Sequence, residues 1–386
     1  MRRFAQMLRS AYASRGHSVE TWSPKARMFH LLPHGRWSKW AGYIDQYLLF
    51  PLSVRRELES VPPETLFVFC DQALGPWMPL IRGRPHVVHA HDLLALRSAL
   101  GEFPENPTAL SGRIYQRYIR RGFQTARHFI SISQKTRDDL HRCGQIQPIT
   151  SEVVYNGLNY PYVRMAREDA RQALVAAGLP DSPRGMLLHV GGGQWYKNLA
   201  GTIALYASYA GQVPDPLPLL CISPPADSKV LECLGRVPPR GRVSFYQGLS
   251  EPTLQAAYSH AEALLFPSLA EGFGWPIIEA QACGCPVVTT DEPPMSEVGG
   301  GNAVYLPRLK SGDDVSRWAS QGAAVILGIL GRTDAQRHES TKLGCAWAQR
   351  FSAESALDAY LSIYGRVLAS YGITETPLPR NELAQT

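Results

Sequence analysis

Short apolar runs alternate with longer amphipathic stretches along most of the chain. The apolar runs have the length and composition of buried strands. They cover residues 65–70, 86–90, 129–133, 152–155, 185–191, 217–222, 243–246, 263–266, 286–289 and 303–306. Helical periodicity fills most of the intervals, which is typical of parallel strands joined by crossover helices. The pattern therefore predicts an α/β fold with helices on both faces of parallel sheets.

The beginning of the chain adds three elements to this pattern. Residues 4–16 predict an amphipathic helix that ends at a glycine, and residues 17–23 predict a strand. Residues 28–60 have a helical pattern and many aromatic side chains, which belong either to a core or to a surface that meets a substrate. These aromatics are Trp37, Trp40, Tyr43, Tyr47 and Phe50.

A glycine-rich turn follows the apolar run 263–267 and leads into a predicted helix over 275–284. Its sequence is Glu271-Gly-Phe-Gly-Trp-Pro-Ile-Ile-Glu279. Pro276 suits the first helical turn, and Gly284 suits the helix C-cap. Gly272 and Gly274 allow the backbone to approach a ligand closely, and amides at a helix N-terminus bind oxygens and anions. The turn therefore predicts a ligand site flanked by two carboxylates.

A second glycine-rich turn follows the strand predicted at 185–191. Its sequence is Gly192-Gly-Gln-Trp-Tyr-Lys197-Asn198, and a helix is predicted from Leu199. Such a turn can hold a diphosphate at the helix N-terminus, with Lys197 adding a cation. The dinucleotide fingerprint needs a third glycine at position 196, where Tyr196 stands. This difference argues against a nicotinamide enzyme.

Polar side chains also follow two strands predicted in the first half. Asp71 and Gln72 come after the run 65–70, and His91 and Asp92 come after the run 86–90. Open α/β sheets bind ligands at the carboxyl ends of their strands. We therefore expect these four residues to face a site, whereas His89, inside its strand, is expected to be buried.

The run from Glu271 to Glu279 resembles the Glu-x7-Glu motif of family 4 retaining glycosyltransferases, which have the GT-B fold. The match continues through Val288 and onward to Ser296-Glu-Val-Gly299. The resemblance implies two Rossmann-like, doubly wound domains that face a cleft. It places an acceptor-side domain at residues 1–165, a nucleotide-sugar domain at 166–350, a helix crossing back at 351–374 and a disordered tail at 375–386.

The resemblance also implies roles for individual residues. Glu271 and the amides of the turn would hold sugar hydroxyls, Glu279 would hold the ribose, and His91 would line the reacting face. The expected catalytic residues are Glu271, His91 and Lys197. The expected donor-binding residues are Gly192, Gly193, Lys197, Asn198, Gly272, Phe273, Gly274 and Glu279. The acceptor-side candidates are Asp71, Gln72 and Asp92.

The sequence departs from the family pattern at two places. The family has an earlier strand and a glycine-rich loop before the first helix, and often an arginine where Gly192 stands. Neither is present in this sequence. We expect either that the natural start lies upstream, or that the chain is a divergent version with fewer groups on the donor phosphates.

These features together predict a metal-independent, retaining glycosyltransferase with no cofactor. It would move a hexosyl group, mannosyl among the candidates, from a UDP- or GDP-linked sugar to a glycan or lipid-linked acceptor in cell-surface polysaccharide synthesis. The Asp-x-Asp motif of metal-dependent enzymes does not occur. Two alternatives are a nucleotide-sugar epimerase of related fold and a catalytically weak subunit that binds the nucleotide sugar.

Composition and charge refine this picture. With 386 residues, 45% of them hydrophobic, the chain suits two domains. Apolar runs stay below the ~18 residues of a membrane span, the start does not resemble a signal peptide, and the odd count of seven cysteines favours reduced thiols. We therefore expect a cytoplasmic protein.

The charge is concentrated in the first half of the chain. Residues 1–180 hold 24 Lys and Arg against 14 Asp and Glu, and residues 181–386 hold 15 against 19. The most basic stretch, Arg113–His128, is either a solvated helix face or a contact with anionic lipid headgroups. No nucleic-acid module is evident, so we expect no nucleic-acid partner and keep peripheral attachment to the inner face of the cell membrane as a candidate.

Overall fold

The computed structural model describes residues 2–31, 34 and 37–373. Within them, parallel strands form two separate sheets. The first sheet contains β1 Phe67–Phe69, β2 His86–Ala90, β3 His128–Ser131 and β4 Thr150–Val153. The second contains β5 Met186–Val190, β6 Leu219–Ile222, β7 Val243–Tyr246, β8 Ala261–Phe266, β9 Val287–Thr290 and β10 Ala303–Leu306.

Helices occupy most of the connections. In the first half they are α1 Arg2–Ala13, α2 Met28–Leu31, α3 Ser38–Ile44, α4 Phe50–Leu58, α5 Leu94–Ala99, α6 Leu110–Phe123, α7 Gln134–Arg142 and α8 Arg167–Ala176. In the second half they are α9 Leu199–Gln212, α10 Ser228–Leu234, α11 Glu251–His260, α12 Trp275–Ala282, α13 Met295–Gly299, α14 Val315–Leu330, α15 Asp334–Ala348 and α16 Ala353–Ser370. A π-helical segment spans Asp45–Leu49, and 3-10 turns span Gln72–Ile81, Trp195–Lys197 and Gly300–Asn302.

The first sheet runs in the order β1-β2-β3-β4 and is covered on both faces. All five residues of β2 are buried, and its side chains alternate between the two faces. Val87 packs in the cluster formed with α1 and α16, whereas Val88 packs in the cluster formed with α6. Because both faces of the strand are buried, apolar residues occur on both of them and the sequence does not alternate between apolar and polar residues.

The second sheet runs in the order β10-β9-β8-β5-β6-β7. The chain therefore starts in the middle of the sheet, builds one half, and then returns to build the other half. This is the strand order of a doubly wound Rossmann sheet, in which ligands bind where the order reverses. Here the reversal lies between β5 and β8, so the carboxyl ends of these two strands define the place to look for a site. The predicted α/β fold with two domains, each built on a parallel sheet, is confirmed, and the reversal of strand order is seen in the second sheet.

The last helices cover both sheets. α14 packs against α9 and α15 against α12, on the second sheet, whereas α16 packs on the first. The hydroxyl of Tyr364 in α16 lies 2.6 Å from His89 Nε2, which accounts for the burial expected of His89. No helix within the described part of the chain has both the length and the apolar composition needed to cross a bilayer.

The strand predicted at residues 17–23 is wrong. The segment is extended and irregular, and it lies outside both sheets. Val19 packs among the side chains around α1, and the ring of Trp22 lies 5.8 Å from that of Phe67, edge to face. Its apolar residues are thus explained by side-chain packing rather than by backbone pairing. The tail predicted at 375–386 lies outside the described residues.

A carboxylate of the second half caps a helix of the first half. Glu297 in α13 accepts hydrogen bonds from the backbone N–H groups of Gln134 and Lys135, each at 2.8 Å. These are the first two amides of α7, which have no partner inside their own helix. A negative charge at a helix N-terminus is favourable both as a hydrogen-bond acceptor and towards the helix dipole. Glu297 therefore contributes to holding the two halves together.

Replacing Glu297 by Ala should weaken this contact by about 1–2 kcal/mol, the usual value of a helix N-cap. We expect a lower thermal midpoint and a larger radius of gyration in solution scattering. The matched control is Glu339→Ala, since Glu339 is an exposed glutamate of α15. Equal scattering curves for Glu297→Ala and the native protein would show that the carboxylate does not hold the sheets together.

Candidate active site between the two sheets

Two loops meet where the strand order of the second sheet reverses. One follows β5 and the other follows β8, and a hydrogen bond of 2.7 Å joins Leu269 N to Tyr196 O. Asn198 has a left-handed backbone and caps α9 by accepting from Gly201 N. Its amide also donates to Pro267 O at 3.0 Å. These bonds fix the two loops to each other before any ligand is present.

Lys197 and Glu271 form an ion pair at the junction of these loops. Lys197 Nζ lies 2.8 Å from Glu271 Oε1, and the side chains are 14% and 7% exposed. Ser268 Oγ donates to the same carboxylate oxygen at 2.8 Å. The ammonium group has three N–H donors, so two remain for the oxygens of a ligand. It also lies 4.8 Å from the ring centroid of Phe266, which helps hold it in place.

Glu279 lies on α12, below the same loop. The hydroxyl of Tyr258 donates to Glu279 Oε2 at 2.8 Å. Burial raises the pKa of Glu279 to about 7, and the hydrogen bond from Tyr258 opposes that rise. The carboxyl therefore titrates near neutral pH, and in its ionised form it is a strong acceptor for hydroxyl groups.

The turn between β8 and α12 has the conformation that its glycines predict. Gly274 has a φ of +98° at the helix N-cap, and Pro276 lies in the first helical turn. Phe273 is 2% exposed and its ring packs 5.8 Å from that of Phe351. Because the Phe273 side chain is in the core, the backbone of this residue is the part that remains to contact a ligand.

Gly272 lies at a close contact between the second half and the first. A Cβ at this position would lie 2.2 Å from the carbonyl oxygen of His91, so the backbones approach too closely for any side chain. The Gly272 carbonyl accepts from Ser133 Oγ at 2.9 Å and from Thr136 Oγ1 at 3.2 Å. The loop that carries Glu271 is therefore anchored on the first sheet.

His91 lies at the end of β2 and is buried. Its ring meets the ring of Phe4 edge to face at 4.7 Å, and its Nε2 has no hydrogen-bond partner in the described part of the protein. Burial lowers the pKa of His91 to about 4, although a hydrogen bond with the Cys70 backbone acts to raise it. The imidazole is therefore neutral at neutral pH.

The three acceptor-side candidates surround His91. Gln72 accepts from His91 N at 3.1 Å and donates to the carbonyl of Asp92, so it fixes the backbone at this strand end. Asp71 accepts from Ala73 N at 2.8 Å. Burial raises the pKa of Asp71 to about 6, with a further contribution from the charge of Asp92, and burial also raises the pKa of Asp92.

The structure therefore brings Glu271, Lys197 and Glu279 together on one side and the His91 cluster on the other, with Gly272 as the contact. The other predicted residues lie in the loop after β5. Gly193 has a φ of +77° beside Pro224, and Gly192 lies beside the side chain of Gln194. Asn198 uses its side chain for the internal bonds described above. The donor-binding roles of these three residues stay predictions.

Several residues of the site escaped the sequence analysis. Tyr258 and Ser268 bind the two glutamates, and Ser133 and Thr136 bind Gly272. Ser133 carries a visible signal, since a serine before a helical pattern predicts an N-cap, and it does cap α7. Ser268 lies three residues before Glu271 in the same loop, but its spacing alone does not predict the hydrogen bond. Tyr258 and Thr136 carry no signal, because each contacts a residue in another segment of the chain.

Two family models match most of the chain. Residues 1–160 match the model described as Glycosyltransferase Family 4, and residues 171–303 match the model described as Glycosyl transferases group 1. The second match contains both glutamates and Lys197. The boundary between the two matches falls between the two sheets.

Curated relatives are similar over part of their length. A D-inositol 3-phosphate glycosyltransferase of Mycolicibacterium paratuberculosis is 28% identical over 316 residues, which are 76% of this chain and 65% of the relative. The O-antigen chain mannosyltransferase RfbU of Salmonella typhimurium is 24% identical over 216 residues, 55% of each chain. The chain thus spans less than two thirds of the length of these relatives.

Solved structures share the architecture. A sucrose-phosphate synthase from Thermosynechococcus elongatus superposes with a TM-score of 0.62 at 19% identity, covering 91% of this chain and 81% of the other. A glycosyltransferase from Rickettsia africae gives 0.55 at 13% identity, covering 78% and 98%. At such identities, the similarity shows a common two-domain fold.

The raised pKa of Glu279 makes a prediction about stability. Between its ordinary value of 4.5 and about 7, the folded protein keeps a proton that the unfolded chain has released. The free energy of unfolding should therefore fall as pH rises through this window, and stay lower above it. Glu279→Gln removes the titration and keeps an acceptor for Tyr258. Its stability relative to the native protein should increase from pH 5 to pH 8, measured by urea unfolding.

The same measurement on Glu339→Gln, at an exposed glutamate, should show no such trend. If the curves of native protein and Glu279→Gln stay parallel from pH 5 to pH 8, the carboxyl of Glu279 titrates at an ordinary pKa.

Proposed function

We propose, because this chain belongs to the family 4 glycosyltransferases and has the GT-B fold, that it moves a hexosyl group from a nucleotide-diphosphate sugar to a glycan or lipid-linked acceptor. The observation that carries the proposal is the buried pair of Lys197 and Glu271, which lies at the strand-order reversal of the second sheet. This is where a doubly wound sheet binds a nucleotide.

Lys197 has the position and the donors to stabilise the leaving group. When the bond to the sugar breaks, negative charge grows on the outer phosphate of the nucleoside diphosphate. Donors that are fixed before the reaction stabilise such charge most effectively. Lys197 is fixed by Glu271 and by the ring of Phe266, and it keeps two N–H donors. We therefore propose that transfer proceeds without a metal ion or other cofactor.

Glu271 and Glu279 divide the donor between them in this proposal. Glu271 and the amides of Gly272, Phe273 and Gly274 hold the hydroxyls of the sugar, while Glu279 holds the ribose. The neutral ring of His91, with an unpartnered Nε2, lines the face on which the sugar reacts. Asp71, Gln72 and Asp92 meet the acceptor. We propose that the sugar keeps its anomeric configuration, as the family assignment implies.

The candidates for the donor sugar and the acceptor are suggested by the relatives rather than by the site. A UDP- or GDP-linked hexose fits the proposal, and mannose is a candidate because one relative is named as a mannosyltransferase of the O-antigen chain. A role in cell-surface polysaccharide synthesis is proposed on the same basis.

The test compares Lys197→Ala with Lys197→Arg and Glu271→Gln. Lys197→Ala should weaken binding of UDP or GDP in calorimetry and lower transfer by about 100-fold, the usual cost of losing one such donor. Lys197→Arg should keep part of both. Glu271→Gln should impair transfer far more than it changes the affinity for the free nucleoside diphosphate, since the proposed ligand contact that it removes is to the sugar.

Unchanged nucleotide affinity in Lys197→Ala would contradict the assignment of the diphosphate site. Turnover of the nucleotide sugar without any acceptor would instead identify an epimerase, and binding without turnover would identify a binding subunit.

We also propose that the first half attaches to an anionic membrane. On α6, Ile114 and Tyr118 are 60% and 48% exposed, and Arg113, Arg117 and Arg121 are exposed beside them. An apolar and basic surface of this kind binds the interface of an anionic bilayer without spanning it.

The neighbouring segment extends this surface. The hydroxyls of Tyr47 and Tyr115 lie 2.6 Å apart and join the π-helical segment to α6. On that side, Trp40 and Leu48 are 61% and 56% exposed. Tryptophan and tyrosine favour the headgroup region, where one end of the ring is apolar and the other is wet. A lipid-linked acceptor would then reach the His91 side of the cleft directly, and the protein would act on the inner face of the cell membrane.

Co-sedimentation with vesicles tests the attachment. The protein should pellet with vesicles of phosphatidylserine and phosphatidylcholine at low salt, and release as salt rises. Arg117→Glu with Arg121→Glu should reduce the bound fraction, because each basic residue near the surface contributes about 1 kcal/mol. The control, Arg236→Glu with Lys342→Glu, changes the net charge equally in the second half. Equal loss in both double variants, or equal recovery with neutral vesicles, would contradict a specific surface.

A further inference from the structure

Arg308 lies just after β10 and contacts both halves of the protein. Its Nε donates to the carbonyl of Leu269 at 2.8 Å, and its Nη2 donates to Glu105 Oε1 at 3.1 Å. Leu269 belongs to the loop that ends in Glu271, whereas Glu105 belongs to the first half, between α5 and α6. The side chains of Arg308 and Glu105 are 12% and 18% exposed, so solvent screens this ion pair weakly.

Leu269 is therefore held from two sides. Its N–H donates to Tyr196 O in the loop of Lys197, and its carbonyl accepts from Arg308. Glu271 follows two residues later and is positioned by this backbone. If the hydrogen bond from Arg308 is lost, the carbonyl of Leu269 loses its donor, and only the N–H of Leu269 remains fixed.

The loop that carries Glu105 is itself well supported. The guanidinium of Arg97 lies 4.4 Å from the ring centroid of Phe103, and Asn106 donates to Ser98 Oγ at 3.0 Å. Phe103 in turn packs 4.9 Å from the ring of Trp195, in the loop of Lys197. The first half thus reaches both ligand loops through one short, rigid segment.

We propose that Arg308 is a positioning residue that couples the contact between the two halves to the placement of Glu271. The planar guanidinium can hold two acceptors in fixed directions at once, one from each half. When Glu105 moves away, the guanidinium loses the nearer and more buried of its two carboxylate partners, since the exposed Glu292 lies 3.9 Å from Nε. The Leu269 carbonyl is then held less firmly. Closure of the two halves and positioning of the loop that carries Glu271 then occur together. The catalytic part of this proposal rests on the proposed function.

Glu105→Gln is the sharpest test, because it changes the first half while the readout lies in the second. Hydrogen–deuterium exchange of the ligand-free full chain should show faster exchange in the peptide covering 268–274, by about tenfold, as expected for the loss of a charge-assisted hydrogen bond. Arg308→Gln should do the same, and the double variant should exchange no faster than Arg308→Gln. Arg308→Lys keeps the charge but not the planar guanidinium with its fixed donor directions. Its exchange rate at 268–274 should fall between those of the native protein and Arg308→Gln.

The control is Glu232→Gln, which breaks the exposed pair of Glu232 and Arg236 in the second half. It should leave exchange at 268–274 unchanged. In transfer assays, Glu105→Gln should lower kcat about tenfold, while calorimetry gives an unchanged affinity for the free nucleoside diphosphate.

Unchanged exchange at 268–274 in Glu105→Gln would overturn the proposal, since the loop would then be held without the first half. Faster exchange with unchanged kcat would overturn the positioning role. The exchange experiment needs no substrate, so it decides the coupling even if the protein proves to have no transferase activity.

Discussion

The close approach of Gly272 to His91 is the contact on which the arrangement of the site depends. At this point the backbone of a second-sheet loop lies against the end of a first-sheet strand, with no room for a Cβ. The hydroxyls of Ser133 and Thr136 satisfy the Gly272 carbonyl, which would otherwise be a buried acceptor without a partner. The contact is therefore both close and fully hydrogen-bonded. It sets the distance between Glu271 and the His91 cluster.

Two charge-assisted hydrogen-bonded contacts flank this point and come from different parts of the second half. Glu297 reaches the N-terminus of α7, and Arg308 reaches Glu105. Each joins elements more than 150 residues apart in the chain (by their residue numbers) and each is made to a charged group, so each is stronger than a neutral hydrogen bond. The loop that carries Glu271 lies between them.

The sequence predicts the loops of the site better than it predicts their partners. Gly274 and Pro276 have a backbone chemistry that permits few alternatives, and they take the conformation expected from it. Residues 17–23 show the opposite case, because an apolar run does not distinguish a paired strand from an extended segment that packs its side chains. Arg308 and Glu105 are ordinary charged residues in the sequence. Their meeting is a product of the tertiary fold, and no local pattern contains it.

Burial determines the charge of this site as much as residue type does. Asp71 and Glu279 would both be ionised in water at pH 6, yet burial raises their pKa values to about 6 and about 7, and it leaves His91 neutral. Lys197 and Glu271 remain charged by pairing with each other, which avoids the large cost of an isolated buried ion. At pH 6 the ligand-free site therefore carries less negative charge than Asp71 and Glu279 would give it in water. A diphosphate that binds Lys197 would compete with Glu271 for the ammonium group. A sugar hydroxyl that donates to Glu271 would then replace the hydrogen bond that the carboxylate loses. In the proposed function, binding of the phosphate and binding of the sugar are therefore linked through a single ion pair.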